Sequence, residues 1–291
     1  MRHLLIAIAA VVSCCWPSAL PRAAAEKPGL TNPFFAFDNG TGRGKLSPGE
    51  QAKMLKDLGY AGIGYTGTKG IPEMLEALDQ HGLKMFSIYV GASIGSNGPK
   101  YDQNIKQAVK DLKGRDTIIW LFITGRMPDG DDGDKQAVEV VRQVADLAEE
   151  SGLRVVLYPH HGFYVDRVED GLRIVKQAQR KNVGTSLNLC HWIRSGDKTS
   201  IEKRIEELGK HLFLVSINGA DNEGGWNRLI RTLDQGEYDV YNFLGALTES
   251  GYSGPIGLQC YGVRGEPREN LKRSITAWQG FSAKMAGERK K

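Results

Sequence analysis

The chain repeats one unit eight times: a short apolar, β-rich run, a polar turn, and an amphipathic segment with a glycine near its end. The spacing between successive runs leaves room for one helix, as parallel strands require. The runs are rich in Val, Ile, Phe and Leu, which is typical of strands buried on both faces. The predicted strands cover residues 34–38, 61–65, 83–90, 117–124, 153–160, 184–190, 212–218 and 255–261.

Helix signals fall between these strands. Ser47 and Pro48 form an N-cap and a first-turn proline, and Gly59 and Gly251 are placed to end helices. The predicted helices cover residues 49–58, 71–81, 104–112, 134–151, 166–180, 200–211, 238–250 and 269–285. Eight strands alternating with eight helices, with no linker between them, predict an α/β chain folded as a single (β/α)₈ TIM barrel.

A doubly wound open sheet is the alternative. It needs a glycine-rich phosphate turn that leads directly from the first strand into a helix. Residues 39–44 are glycine-rich, but helix signals begin only at Ser47, and no acidic residue ends the second strand. The sequence therefore favours the closed barrel.

The N-terminus predicts export. A short positive start precedes an apolar run over residues 4–16, which is too short to span a bilayer, and Ala23-Ala24-Ala25 supplies a cleavage site. We therefore expect a signal peptide over 1–25, a barrel domain over 26–291, and a secreted or periplasmic protein. A lipid anchor at Cys14 is the alternative, and no later segment is predicted to cross a membrane.

Composition argues against several partners. The formal net charge is +4 at pH 7, and no basic stripe with interleaved aromatic residues is present, so we expect no nucleic-acid partner. An endonuclease on this fold would need several zinc ions and a cluster of carboxylates and histidines, which the sequence lacks. Cys190 and Cys260 alone do not make a disulfide framework. The sequence leaves the oligomeric state open.

In a TIM barrel, functional side chains lie at the C-terminal ends of the strands and in the loops that follow. Counting by twos along each predicted strand gives the side chains that point inward. His160, His161, His191 and Tyr158 are the candidate acid and base groups, with the direction of His161 left open. The candidate substrate-binding residues are Asp38, Tyr89, Arg126 and Tyr261.

Two segments resemble a known family. Residues 188–191, Asn-Leu-Cys-His, and 254–259, Gly-Pro-Ile-Gly-Leu-Gln, resemble xylose isomerase-like barrels of the sugar phosphate isomerase/epimerase type. The resemblance implies a small carbohydrate substrate and a divalent metal held by carboxylates and a histidine. It also implies an acid/base pair that moves a proton beside a sugar carbonyl.

The chain departs from that pattern in one direction, because neutral groups replace the carboxylates. Tyr158-Pro159-His160 stands where the family has its first Glu, Asn188 stands for Asp, and Gln259 stands for the final Glu. Either the metal site is lost, or Mn, Co, Zn or Mg is bound by imidazole and amide ligands. The ligands in that case are His160, Asn188, His191, Asn218 and Gln259.

Together these features predict an exported, carbohydrate-active enzyme that abstracts a proton alpha to a sugar carbonyl. The reaction is either an isomerisation or epimerisation, or a carbon–oxygen elimination from a 3-keto-glycoside. Elimination needs a weaker base, because the keto group already acidifies the neighbouring carbon. A non-catalytic carbohydrate-binding barrel that has lost the metal site is the alternative.

Overall fold

The computed structural model describes residues 29–98, 100–126 and 130–288. Within these ranges eight parallel strands form a closed barrel, because the strand Gly62–Thr66 pairs with both Phe34–Phe37 and Lys84–Ser93 and so joins the two ends of the sheet. The strands are β1 (Phe34–Phe37), β2 (Gly62–Thr66), β3 (Lys84–Ser93), β5 (Ile118–Thr124), β6 (Arg154–Leu157), β7 (Val183–Asn188), β8 (Leu212–Ile217) and β9 (Ile256–Leu258). A two-residue strand, β4 (Lys100–Tyr101), pairs antiparallel with the end of β3 and was not predicted.

Helices surround the barrel, and the predicted TIM-barrel fold is confirmed. They are α1 (Pro48–Leu58), α2 (Ile71–Gln80), α3 (Ile105–Asp111), α4 (Gly130–Glu149), α5 (Val168–Ala178), α6 (Leu189–Arg194), α7 (Ile201–Leu208), α8 (Trp226–Leu229), α9 (Val240–Glu249) and α10 (Pro267–Glu288). None of the helices in the described ranges is long and apolar enough to cross a membrane. The predicted signal peptide, 1–25, and Cys14 lie outside the described residues.

Local sequence signals set the helix ends. Ser47 caps α1 in a reciprocal capping box with Glu50, and Pro48 occupies the first turn. Gly59 ends the same helix with φ = 89°, a left-handed conformation that favours glycine.

Two apolar cores hold the fold together. The larger lies between the strands and the helices. The smaller fills the barrel interior and is largely aromatic, with Phe35, Phe37, Trp120 and Tyr158 at its centre. The rings of Phe37 and Trp120 stack with centroids 4.7 Å apart. This aromatic packing fills the barrel interior.

Three strands end two or three residues earlier than predicted, and this changes how their last residues are held. The strands predicted over 153–160 and 255–261 stop at Leu157 and Leu258, so the residues that follow lie in loops. The strand predicted over 184–190 stops at Asn188, and His191 then lies in the short helix α6. Pro159, which has no N–H to donate to a ladder, accounts for the first of these differences.

Candidate active site

A cavity of about 480 Å³ opens at the C-terminal end of the barrel, within the size range of small-molecule sites. Its lining combines aromatic walls with histidine and amide groups. The lining residues are Phe37, Asn39, Arg43, Thr66, Tyr89, Trp120, Tyr158, His160, His161, His191, Trp226, Ile230, Gln259 and Tyr261. A larger depression, about 740 Å³, is more open and lies at the opposite end, which in this fold serves stability.

Hydrogen bonding fixes the tautomer of His160. Its Nδ1 lies 3.0 Å from the carbonyl oxygen of His161, and a carbonyl oxygen only accepts. Nδ1 therefore carries the proton, and Nε2 carries a lone pair. Because the ring also stacks on Phe163 with centroids 3.9 Å apart, its orientation is fixed beside the cavity. His160 is thus arranged as a proton acceptor.

His191 adopts the opposite tautomer. Its Nδ1 accepts from the backbone N–H of His161 at 3.3 Å, so the proton is on Nε2. Nε2 lies 2.7 Å from the hydroxyl oxygen of Tyr158 and donates to it. Since that oxygen accepts from His191, the hydroxyl proton of Tyr158 is free to be donated to another group.

Gln259 supplies a second donor to Tyr158. Its side-chain oxygen accepts from the backbone N–H groups of Cys260 and Tyr261, both at 3.0 Å, and from the amide of Asn39. Three donors on the oxygen fix which way the amide points, so its NH₂ faces the Tyr158 hydroxyl and hydrogen-bonds to it.

Burial dominates the electrostatics of this cluster. It raises the pKa of Tyr158 well above its usual value, which the hydrogen bond from Gln259 opposes. It lowers the pKa of His160, and lowers that of His191 further, with the neighbouring histidines adding to the effect on His191. Tyr158 is therefore a neutral donor at pH 7, and both histidines are neutral.

Asp38 does not line the cavity. Its buried carboxylate accepts from the backbone N–H of Thr66 at 2.8 Å and from the hydroxyl of Thr66 at 2.7 Å. It also forms an ion pair with Arg43 at 3.0 Å. Burial raises the pKa of Asp38, and the contacts with Thr66 and Arg43 counteract this shift. Asp38 thus supports the guanidinium that reaches the cavity.

Most of the predicted site residues come together, and some do not. His160, His191, Tyr158, Tyr89, Gln259 and Tyr261 line the cavity, as does His161, whose direction the sequence left open. Arg126 lies exposed at the end of β5 and is absent from the described lining. Asn188 and Asn218 are also outside it, because neighbouring groups bind their side chains within the fold.

The predicted donors do not together form a site for a divalent metal. The side-chain oxygen of Asn188 accepts from Ser216 at 3.0 Å, that of Gln259 has three donors, and both ring nitrogens of His191 are engaged. Asn218 has a free, buried oxygen but lies outside the cavity. Across the described residues, no three His, Cys, Asp or Glu side chains are grouped to hold a metal. The arrangement does not fit a metal centre.

Sequence analysis missed several lining residues. Arg43 and Asn39 come from the glycine-rich loop after β1, and Trp226 comes from the loop after β8. Position alone, one and five residues after the predicted strand end at 38, was the available signal for Asn39 and Arg43. Trp226 lies eight residues beyond the predicted end of its strand, at 218, and so gave no such signal.

Comparison with known proteins agrees with this architecture. Residues 42–279 match the family model described as xylose isomerase-like TIM barrel. No curated protein sequence matches the chain significantly. Among solved structures, D-allulose 3-epimerase from Methylomonas sp. is 15% identical with a TM-score of 0.69, covering 89% of this chain and 100% of that one.

Two further structures are similar. The 3-keto-D-glucoside 4-epimerase from E. coli is 18% identical with a TM-score of 0.66, covering 85% of this chain and 98% of its own. The IolI protein, solved with a bound zinc atom, is 16% identical with a TM-score of 0.69, covering 87% and 98%. At these identities the likeness concerns the fold, whereas the family match spans most of the chain. The chain belongs to the xylose isomerase-like TIM barrel family.

Proposed function

We propose that the chain is a carbohydrate-active enzyme that removes a proton from the carbon beside a sugar carbonyl. The observation that carries the proposal is the pair of opposite histidine tautomers beside Tyr158, whose two imidazole rings pack with centroids 4.1 Å apart. His160 offers the lone pair of its Nε2 atom. Tyr158 offers its hydroxyl proton, because its oxygen is the acceptor in the hydrogen bonds from its two neighbouring donors. A base and an oxygen-directed donor at one site are the groups that enolisation needs.

In the proposed reaction, the carbonyl oxygen of the substrate accepts a hydrogen bond from the Tyr158 hydroxyl. His160 Nε2 takes the proton from the adjacent carbon, and the electron pair of the C–H bond moves into the enolate. The negative charge collects on the oxygen that faces Tyr158. His191 and Gln259 donate to the Tyr158 oxygen and so make its hydroxyl a stronger donor as this charge develops.

The fate of the enolate sets the reaction. Return of the proton to the opposite face of the same carbon gives an epimer. Return to the former carbonyl carbon gives an isomer, because the proton of the hydroxyl on the reacting carbon then moves to the enolate oxygen and a new carbonyl forms at that carbon. Epimerisation is the reaction named for the D-allulose 3-epimerase and the 3-keto-D-glucoside 4-epimerase that share the fold. No step here passes through a metal, because the donor groups do not fit one.

Elimination from a 3-keto-glycoside is the second candidate reaction. There the enolate re-forms the C3 carbonyl, and the electrons of its C2–C3 double bond form a C1–C2 double bond as the bond from C1 to the glycosidic oxygen breaks. The departing alcohol takes up the proton that His160 removed. The feature that favours it is the mouth of the cavity, where Trp226 and Tyr261 are 36% and 64% exposed. Exposed aromatic rings beside a cavity suit an aglycone beyond the reacting sugar.

The test is proton exchange in D₂O, followed by NMR, with a ketohexose and a 3-keto-glycoside as separate substrates. We expect deuterium at the carbon beside the carbonyl, and loss of that exchange in His160→Gln. Release of the aglycone would identify elimination. Saturable sugar binding with no exchange on either substrate would contradict the proposal and favour a non-catalytic binding barrel.

We further propose that the protein is exported, since a carbohydrate enzyme with a signal peptide over 1–25 would meet glycosides outside the cytosol. Mass spectrometry of the mature protein from its native host checks this. A chain beginning at Glu26 supports the proposal, a lipid-modified Cys14 supports an anchored form, and an intact Met1 contradicts both.

A further inference from the structure

Arg43, on the glycine-rich loop over residues 39–44, has no part in the proposed proton transfer, yet its guanidinium lines the cavity. We infer that Arg43 makes this site selective for a sugar that carries a carboxylate, as uronic acids and their glycosides do. The inference concerns the cavity of the proposed function and names its substrate class.

The loop holds Arg43 in a fixed place. Asn39 donates to the side chain of Gln259 and accepts from the backbone N–H of Cys260, so the loop is bound to the end of β9. Gly40 packs so closely that an added Cβ would lie 2.6 Å from the sulfur of Cys260. A guanidinium on an anchored loop loses little freedom when it binds a ligand, which favours affinity.

The guanidinium has donors to spare. Arg43 makes one ion pair, Nη1 to Asp38 at 3.0 Å, and no other hydrogen bond to the described residues is found. Its side chain remains 45% exposed and lines the cavity. An arginine has five N–H donors, arranged to meet a carboxylate with two parallel hydrogen bonds. Asp38 therefore orients Arg43 without using up its hydrogen-bonding capacity.

The charge of the cavity points to a carboxylate rather than a phosphate. Among the described lining residues, Arg43 is the single permanently charged side chain, and none is acidic. Its charge is already shared with Asp38. Phosphate sites gather several cations or a helix N-terminus to balance two charges. One partly neutralised guanidinium instead suits a single negative charge.

The experiment measures binding by NMR titration of the folded protein with three probes: methyl glucoside, methyl glucuronide and glucose 6-phosphate. We expect the glucuronide to bind on the order of tenfold more tightly than the glucoside, the scale of one charge-assisted hydrogen-bonded pair. Glucose 6-phosphate should bind no better than the glucoside. The preference for the glucuronide should be weaker in Arg43→Lys, because lysine keeps the positive charge but lacks the two parallel N–H donors of a guanidinium.

Arg43→Gln should abolish the preference. Asp38→Asn combined with Arg43→Gln should abolish it too, and this double variant avoids leaving a buried, unpaired carboxylate. Arg115→Gln is the matched control, because Arg115 is 41% exposed and forms one ion pair with Asp79, through Nη1 at 2.7 Å. It lies before β5, at the other end of the barrel.

Equal binding of glucuronide and glucoside, or a preference that survives Arg43→Gln, would overturn the inference. Tightest binding of the phosphate would do so as well. Because these measurements need no turnover, a carboxylate preference without deuterium exchange would leave the inference standing and remove the proposed function. Deuterium exchange on neutral sugars without any preference for a carboxylate would support the proposed function and overturn the inference about Arg43.

Discussion

The hydroxyl of Tyr158 is the most informative atom to remove. Tyr158→Phe deletes the donor that faces the substrate carbonyl and keeps the ring, which packs on Trp120 with centroids 4.1 Å apart. Loss of one donor to a developing oxyanion lowers kcat by about 100- to 1,000-fold in other enzymes, and we expect that range here. KM should change little, because the interaction strengthens mainly in the transition state.

The same substitution has a cost in stability that must be separated from the catalytic effect. It leaves the Nε2–H of His191 and the amide of Gln259 facing an apolar ring edge, and an unsatisfied buried group costs about 1–3 kcal/mol. We therefore expect a melting temperature several degrees lower. Tyr252→Phe is the matched control, since it removes a hydroxyl bound to Pro255 at 2.9 Å, on the N-terminal side of the barrel.

Deuterium exchange beside the carbonyl, followed by NMR, measures the catalytic effect, and thermal unfolding measures the structural one. Tyr252→Phe should lose stability and keep its exchange rate. If Tyr158→Phe retains exchange within tenfold of the unmodified protein, the hydroxyl is not the oxygen-directed donor, and the assignment of roles around it fails.

Three further predictions concern pH, metals and the cavity mouth. Burial lowers the pKa of His160 below its ordinary 6.5, so this base is neutral at pH 7. The acid limb of the kcat/KM profile should therefore lie below pH 6.5. An acid limb above pH 6.5 would contradict the assignment of His160 as the base. As pH falls through 6.5, His160 becomes protonated in the unfolded chain and stays neutral in the folded chain. The free energy of unfolding measured by denaturant titration should therefore fall as pH drops below 6.5, and this group should cause no change in it above pH 6.5. EDTA should leave deuterium exchange unchanged, and a loss that Mn, Co, Zn or Mg restores would show that the chemistry needs a metal. Trp226→Ala should weaken binding of an aryl glycoside by about three- to tenfold in NMR titrations and leave a free ketohexose unaffected; equal losses for both would place Trp226 against the reacting sugar.

The fold could be predicted from the sequence because the patterns that mark its strands and helices are periodic and local. Gly59 ends its helix because the backbone there adopts a left-handed conformation that favours glycine. Strands buried on both faces need apolar runs, and this requirement does not depend on which residues pack against them. Strand ends were less predictable. Leu157 ends β6, three residues early, because Pro159 and the loop after it follow their own hydrogen bonds, such as the one from the N–H of His160 to Val165 at 2.9 Å.

The site was predictable only in part, because two residues at equivalent strand ends can face different surroundings. Counting by twos placed Tyr158 and Gln259 correctly at the cavity. It also placed Asn218 there, whereas the structure shows its amide donating to the carbonyl groups of Gly219 and Leu229 within the loop after β8. Which partner satisfies a buried amide depends on chain that is distant in sequence, and a periodic pattern carries no such information.

The neutral residues at the carboxylate positions are better explained by hydrogen bonding than by loss of a site. A carboxylate at position 259 would still accept from Cys260 and Tyr261, but it would have no N–H to offer Tyr158. It would also bring a negative charge beside the place where the substrate develops one. An amide keeps the acceptor side of the residue and adds a donor towards the phenol. With His191 as the second donor, two N–H groups converge on the Tyr158 oxygen, and the Tyr158 O–H is left for another acceptor.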